Sequence, residues 1–118
     1  MDVAHRSAND VVIIQVSGEI TYGKGNDVKL RSTIDGLLGE GHRKLLLDLG
    51  AVTYVDSAGL GQLAQMHAIA TQKQSMLKLL GVSKRLRDLL AATRLLALFE
   101  LFDTEDAALA SFEGAGAS

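Results

Sequence analysis

The run Leu45-Leu46-Leu47-Asp48-Leu49 is apolar on both parities apart from Asp48. A strand that shows one face to water alternates apolar with polar residues, so a run apolar on both parities belongs to a strand covered on both faces, as in a sheet with helical crossovers. That requirement points to a layered α/β architecture, and the flanking segments supply the layers. Residues Val11 to Val16 are rich in β-branched side chains, and Asn9-Asp10 before them predicts a turn from a short first strand near Val3 to Arg6. Between Asp27 and Leu38, the residues Leu30, Ile34, Leu37 and Leu38 share one helix face, and Gly39 and Gly41 supply the stop.

Beyond the apolar run, Ser57 opens a helical segment through Ala70 with Leu60, Leu63, Ala64 and His67 on one face. Met76 to Val82 alternates around Lys78 and predicts a strand. Ser83 is the expected N-cap of a helix that turns Leu86, Leu89, Leu90 and Thr93 inward and leaves Arg87 and Asp88 outside. Phe99 to Phe102 predicts a short last strand, and Thr104 caps a final helix with Glu105 and Asp106 in its first turn, where the helix dipole favours acids. The order is β-β-α-β-α-β-α-β-α. It describes a single α/β domain with a mostly parallel central sheet, an N-terminal hairpin at one edge and about four helices. The domain is expected over residues 1–113, and the Gly/Ala/Ser stretch 114–118, with nothing to bury, as a flexible tail.

Composition narrows the function. At 118 residues the chain is one domain of ordinary size, and with no cysteine it offers no disulfide, thiolate nucleophile or cysteine zinc site. Twelve lysines and arginines against fourteen acids give a net charge of −2, which argues against a nucleic-acid partner. The first residues lack an apolar signal core, and no stretch approaches the roughly 20 apolar residues that span a bilayer, so a cytoplasmic location without membrane insertion is expected. His5, His42 and His67 fall in three different elements, expected as an edge strand, an exposed loop and a helix, and have no metal-ligand spacing. Ser57 and His67 would stand almost three turns apart on one helix, too far to form a hydrolase triad. Gly23 and Gly25 hint at a phosphate loop, but Val28 occupies the third glycine position and no Walker lysine is present. These features predict no enzyme, no metal and no cofactor.

The segment Tyr54-Val55-Asp56-Ser57-Ala58-Gly59-Leu60-Gly61 follows the buried strand and a short spacer and places Asp56-Ser57 where a helix begins. Either side chain can accept from the free N–H groups of the first turn, while Gly59 and Gly61 would let the helix approach the sheet. Capping alone accounts for the segment in structural terms. Yet Leu45 to Leu49, the spacer and Val55-Asp56-Ser57-Ala58-Gly59-Leu60 together resemble the signature of the STAS family, named for sulfate transporters and anti-sigma factor antagonists. The likeness runs from Val16-Ser17-Gly18-Glu19-Ile20 through Leu79-Leu80-Gly81-Val82-Ser83 to the Phe99 strand, nearly the whole chain.

A free-standing domain of this length resembles the bacterial anti-sigma factor antagonists, which implies phosphorylation at Ser57 by a partner that is both anti-sigma factor and serine kinase. It also implies a serine phosphatase that resets the site. By the same resemblance the partner-binding residues are Asp56, Ser57, Ala58 and Gly59, with Asp48 at the end of the strand and Thr21, Tyr22 and Gly23 in the loop that enters the first helix. That loop, Thr21 to Gly25, departs from the shorter, more acidic form of many relatives. Two other readings stand beside this one: an accessory subunit docked on a membrane transporter ATPase, and a nucleotide-binding module using Gly23 to Gly25. Nothing in the sequence fixes an oligomeric state.

Overall fold

The computed structural model describes residues 2–21 and 26–116. Along them run β1 (Asp2–Ala8), β2 (Val11–Ile20), α1 (Asn26–Gly39), β3 (Lys44–Val55), α2 (Ser57–Gln72), β4 (Met76–Leu80), α3 (Lys84–Ala92), a 3-10 turn at Leu96–Leu98, β5 (Leu101–Phe102) and α4 (Glu105–Gly116). The five strands lie in sequence order, with β1 antiparallel to β2 and every other pair parallel. The expected architecture is therefore present, an α/β domain with an edge hairpin on a mostly parallel sheet. Asn9 makes the hairpin turn at φ 58°, a left-handed conformation that asparagine tolerates better than most residues.

The strand order explains the layering. Each parallel step moves to the next strand in one direction, and crossovers of a single hand then place their helices on one face of the sheet. Residues from α1, α2 and α3 accordingly share one core with Val12, Ile14, Leu45, Leu47, Leu49, Leu77 and Leu79. The last helix, α4, follows the last strand and crosses to the opposite face, where Ala108 and Phe112 cover Val11, Ile13, Leu46 and Leu80. Leu45, Leu46 and Leu47 are each fully buried, although Leu46 points away from the other two. The run that is apolar on both parities thus lies in a strand with a layer on each side.

Several boundaries differ from the sequence expectation. The spacer after Leu49 is not a loop: β3 continues to Val55, pairing Ala51 with Ser17, Val52 with Gly18, Tyr54 with Glu19 and Val55 with Ile20. Two register shifts interrupt this stretch and break the period of two that identifies a strand in a sequence. Pairing with β4 covers only Lys44 to Asp48, so the far end of β3 is held from the β2 side. On α2 the buried stripe is Gly59, Leu60, Leu63, Met66 and Ala70, with Ala64 and His67 half-buried beside it. The His67 ring meets Phe99 edge-on, 5.1 Å between centroids. Phe99 does not open β5 but closes the 3-10 turn and packs into the larger core.

Thr93, expected inside, is exposed at the end of α3, where its hydroxyl donates to the Leu89 carbonyl at 2.8 Å. His5 is exposed on the edge strand. His42 is half-buried rather than exposed, with Nε2 3.4 Å from a Glu40 carboxylate oxygen. Helix α4 runs to Gly116, into the stretch expected as a tail. Among the described residues, no helix is long and apolar enough to cross a membrane.

Candidate functional site

Strand β3 delivers the chain to Asp56, whose extended backbone (φ −90°, ψ 178°) makes it the N-cap of α2. Its Oδ1 accepts from the Gly59 N–H at 2.7 Å, and its carbonyl accepts the first helical bond, from Leu60 N–H at 2.9 Å. The capping that the sequence left open between two residues is done by Asp56. Ser57 is therefore the first residue of the helix proper, and its side chain is exposed. Among the described residues its hydroxyl makes no hydrogen bond. Ala58 beside it is exposed too, so no bulk shields the hydroxyl.

Gly59 holds this corner against the sheet. A Cβ at that position would stand 2.2 Å from the Ile20 carbonyl oxygen and 3.1 Å from its carbon, both backbone atoms that cannot swing aside. The Asp56 N–H donates to the same carbonyl at 3.3 Å, which ties the start of α2 to the end of β2. Gly61 has nothing within 4 Å of the corresponding position, so close approach requires Gly59 and not Gly61.

Thr21 directly follows β2 and is half-buried, which brings it to the same end of the sheet as Asp56, Ser57, Ala58 and Gly59. Tyr22 and Gly23, and with them the Gly23 to Gly25 loop, lie outside the described residues. Asp48 is not brought to this corner. It shares the register row of Gln15 and Leu80 on the α4 face of the sheet. Its row and the Val55 row are five residues apart on β2, Gln15 to Ile20, so at a strand rise of about 3.3 Å per residue it lies roughly 17 Å back from the end of β3. Its Oδ1 accepts from the Gly50 N–H at 3.0 Å, at the point where β4 leaves β3. Gly81 makes that departure at φ +72°, its missing Cβ only 3.1 Å from Gly50 backbone atoms.

Two residues outside the expected partner-binding set, Tyr54 and Arg85, stand close to the site. Tyr54 is 44% exposed, and the Arg85 guanidinium carbon lies 5.8 Å from its ring centroid, within cation–π range. Val52, Tyr54 and Val55 of β3 line a narrow cleft with Ser83, the N-cap of α3, and with Arg85 and Leu86 of that helix. A local sequence signal existed: between Lys73 and Arg94 there are six basic residues and one acid, Asp88, an imbalance masked by the overall charge of −2. Of the exposed basic residues at the start of α3, Arg85 lines the cleft, while Arg87 lies 4.0 Å from Asp103. Among the described residues, no three His, Asp or Glu side chains converge as a metal site would require.

Known proteins share this fold. A family model for the STAS domain matches residues 2–108. A Bordetella bronchiseptica protein, provisionally named anti-sigma factor antagonist BtrV, is 28% identical over 90 residues, 76% of this chain and 78% of its own. Among solved structures, a Thermotoga maritima protein provisionally described as an anti-sigma factor antagonist superposes with a TM-score of 0.83 at 22% identity, over 92% of each chain. The anti-sigma factor antagonist SpoIIAA in its unphosphorylated form gives 0.74 at 17% identity, over 96% of this chain and 99% of its own. The Bacillus cell fate determinant SpoIIAA in its phosphorylated form gives 0.72 at 17% identity, over 94% and 99%. These solved structures share the fold. With the family model matched over residues 2–108, the chain belongs to the STAS domain family.

Proposed function

We propose that this domain is an anti-sigma factor antagonist switched at Ser57. Unmodified, the start of α2 docks on a serine-kinase anti-sigma factor and keeps it from its sigma factor. Phosphorylation of Ser57 ends the docking, and a serine phosphatase restores it. The relatives named as anti-sigma factor antagonists support the class of partner. The observation that carries the switch is the division of labour at the corner: Asp56 holds the cap, so the exposed Ser57 hydroxyl is free to be modified without dismantling the helix start.

In the transfer, Ser57 Oγ attacks the γ-phosphorus of the kinase's ATP. The new Oγ–P bond forms as the bond to the β-phosphate oxygen breaks, ADP leaves, and the hydroxyl proton passes to a base of the kinase. The domain is substrate and ligand in this reaction, not catalyst. The product carries a charge of about −1.5 to −2 at neutral pH on the first residue of a 16-residue helix, where the dipole and free N–H groups favour it. The fold should therefore survive. The docking should not, because the phosphate adds bulk and a second negative charge next to Asp56 in a surface that must shed water to bind. A loss of roughly 3 kcal/mol weakens binding more than a hundredfold.

The cleft between Tyr54 and Arg85 adds a basic, partly apolar shoulder to the same surface and suits an acidic partner segment. The test is the intact mass of the protein recovered from its host, followed by mapping of any phosphate. One phosphate on Ser57, lost in Ser57→Ala, supports the switch. An unmodified protein that co-purifies with a transporter ATPase would replace this reading with the accessory-subunit one.

A further inference from the structure

We infer that α4 is a latch that opens ahead of the rest of the domain, and that the buried cation of Lys78 keeps its closure weak. This does not rest on the phosphoswitch, since α4 lies on the sheet face opposite α2. Three helices cover one face, whereas α4 covers the other alone, with Ala108 and Phe112 as its buried apolar contacts. Its N-terminal end is tied to β1 by an ion pair of the exposed Arg6 with the half-buried Glu105. A surface pair of that kind holds little.

Beneath the helix, on the apolar face of the sheet, stands Lys78, only 7% exposed. Its Nζ lies 2.7 Å from Glu100 Oε2, 3.0 Å from Ser111 Oγ and 4.5 Å from the centroid of the Phe112 ring. The Glu100 side chain is 65% exposed, so its carboxylate stays largely in water. Closing α4 thus takes the ammonium out of water in return for a hydroxyl contact, a ring face and an ion pair with a solvated partner. Desolvation of a charge opposes that exchange, whereas an apolar side chain at the same place would favour closure outright. Gly114 and Gly116 near the end of α4 lower its intrinsic helicity as well. Opening bares Val11, Ile13, Leu46 and Leu80 around one ammonium, a latent apolar face on the side of the domain away from the α2 helix.

Native-state hydrogen exchange of the whole chain across a denaturant series tests this. Amides of α4 should be at least tenfold less protected than those of β2 and β3, and should exchange through an opening whose denaturant dependence is measurable but smaller than that of global unfolding. Lys78→Met should raise α4 protection at least tenfold. It leaves no buried group without a partner, because Ser111 Oγ also donates to the Ala108 carbonyl at 2.6 Å and Glu100 faces water. Ser111→Ala, which removes an acceptor from the cation, should lower α4 protection severalfold. If α4 exchanges together with β2 and β3 in the wild type, the latch is wrong. If Lys78→Met lowers α4 protection, leaves it unchanged or prevents folding, the cation is not what weakens closure.

Discussion

Asp56 and Ser57 are neighbours with different work. The sequence could not separate them, since either side chain can accept from a first-turn N–H; the decision lies in the extended backbone of Asp56 and in its bond to Gly59. Asp56→Ala should therefore cost about 1 kcal/mol in a denaturant titration, whereas Ser57→Ala should stay within about 0.5 kcal/mol of wild type. Equal losses would mean that both residues cap. Gly59→Ala should be worse than either, about 2–3 kcal/mol, because the new methyl meets the Ile20 carbonyl rather than a flexible side chain. At the other end of the sheet, the ammonium of Lys44, 2.6 Å from Asp10, holds the Asp10 carboxyl below the usual carboxylate range. A carboxyl lowered by folding adds stability above its unfolded value, and that stability is lost as pH falls through the lowered one. NMR titration of Lys44→Met should show Asp10 moving back up; an unchanged midpoint would remove Lys44 as the cause.

At the scale of elements, legibility followed the surroundings of each segment. Residues 45–49 were readable because burial on both faces leaves a continuous apolar run, and α3 was readable because Leu86 and Leu90 alternate with exposed charges. The far end of β3 was hidden for two reasons. Its register shifts destroy the alternation, and pairing on the β2 edge alone leaves Gly50, Ala51, Thr53 and Tyr54 exposed like a loop. The resemblance groups Asp48 with the partner-binding residues, but register, which a sequence does not display, sets it on the α4 face of the sheet. Leu47→Asp should abolish cooperative melting, since Leu47 is 0% exposed and packed in the larger apolar core. A melt within a few degrees of wild type would contradict a strand covered on both sides. Just after α3, Arg94 sits at φ 63°, a conformation that suits glycine. Arg94→Gly should stabilise by about 0.5–1 kcal/mol, read as a shift of the denaturation midpoint; a loss would show that its side chain contributes more than the strain removes.

Across the whole molecule, the residues that hold the fold are distinct from those that face outward. Gly59, Asp56 and the buried strand keep the α2 corner in place, while Ser57, Ala58, Tyr54 and Arg85 face outward. The family resemblance was legible in the signature, whereas the basic cleft was not, because it joins Tyr54 to a helix about thirty residues later in the chain. Changes at Ser57 should therefore act on binding and leave stability alone. The most direct test is the affinity of the domain for the proposed serine-kinase anti-sigma factor, captured from the host and measured with wild type before and after ATP, beside Ser57→Ala and Ser57→Asp. The account predicts tight binding by Ser57→Ala that ATP does not change, weak binding by a fully folded Ser57→Asp, and at least a hundredfold loss in the wild type as one phosphate appears on Ser57. Equal affinities of the two variants, or wild-type binding that ATP leaves unchanged with no phosphate on Ser57, would contradict it.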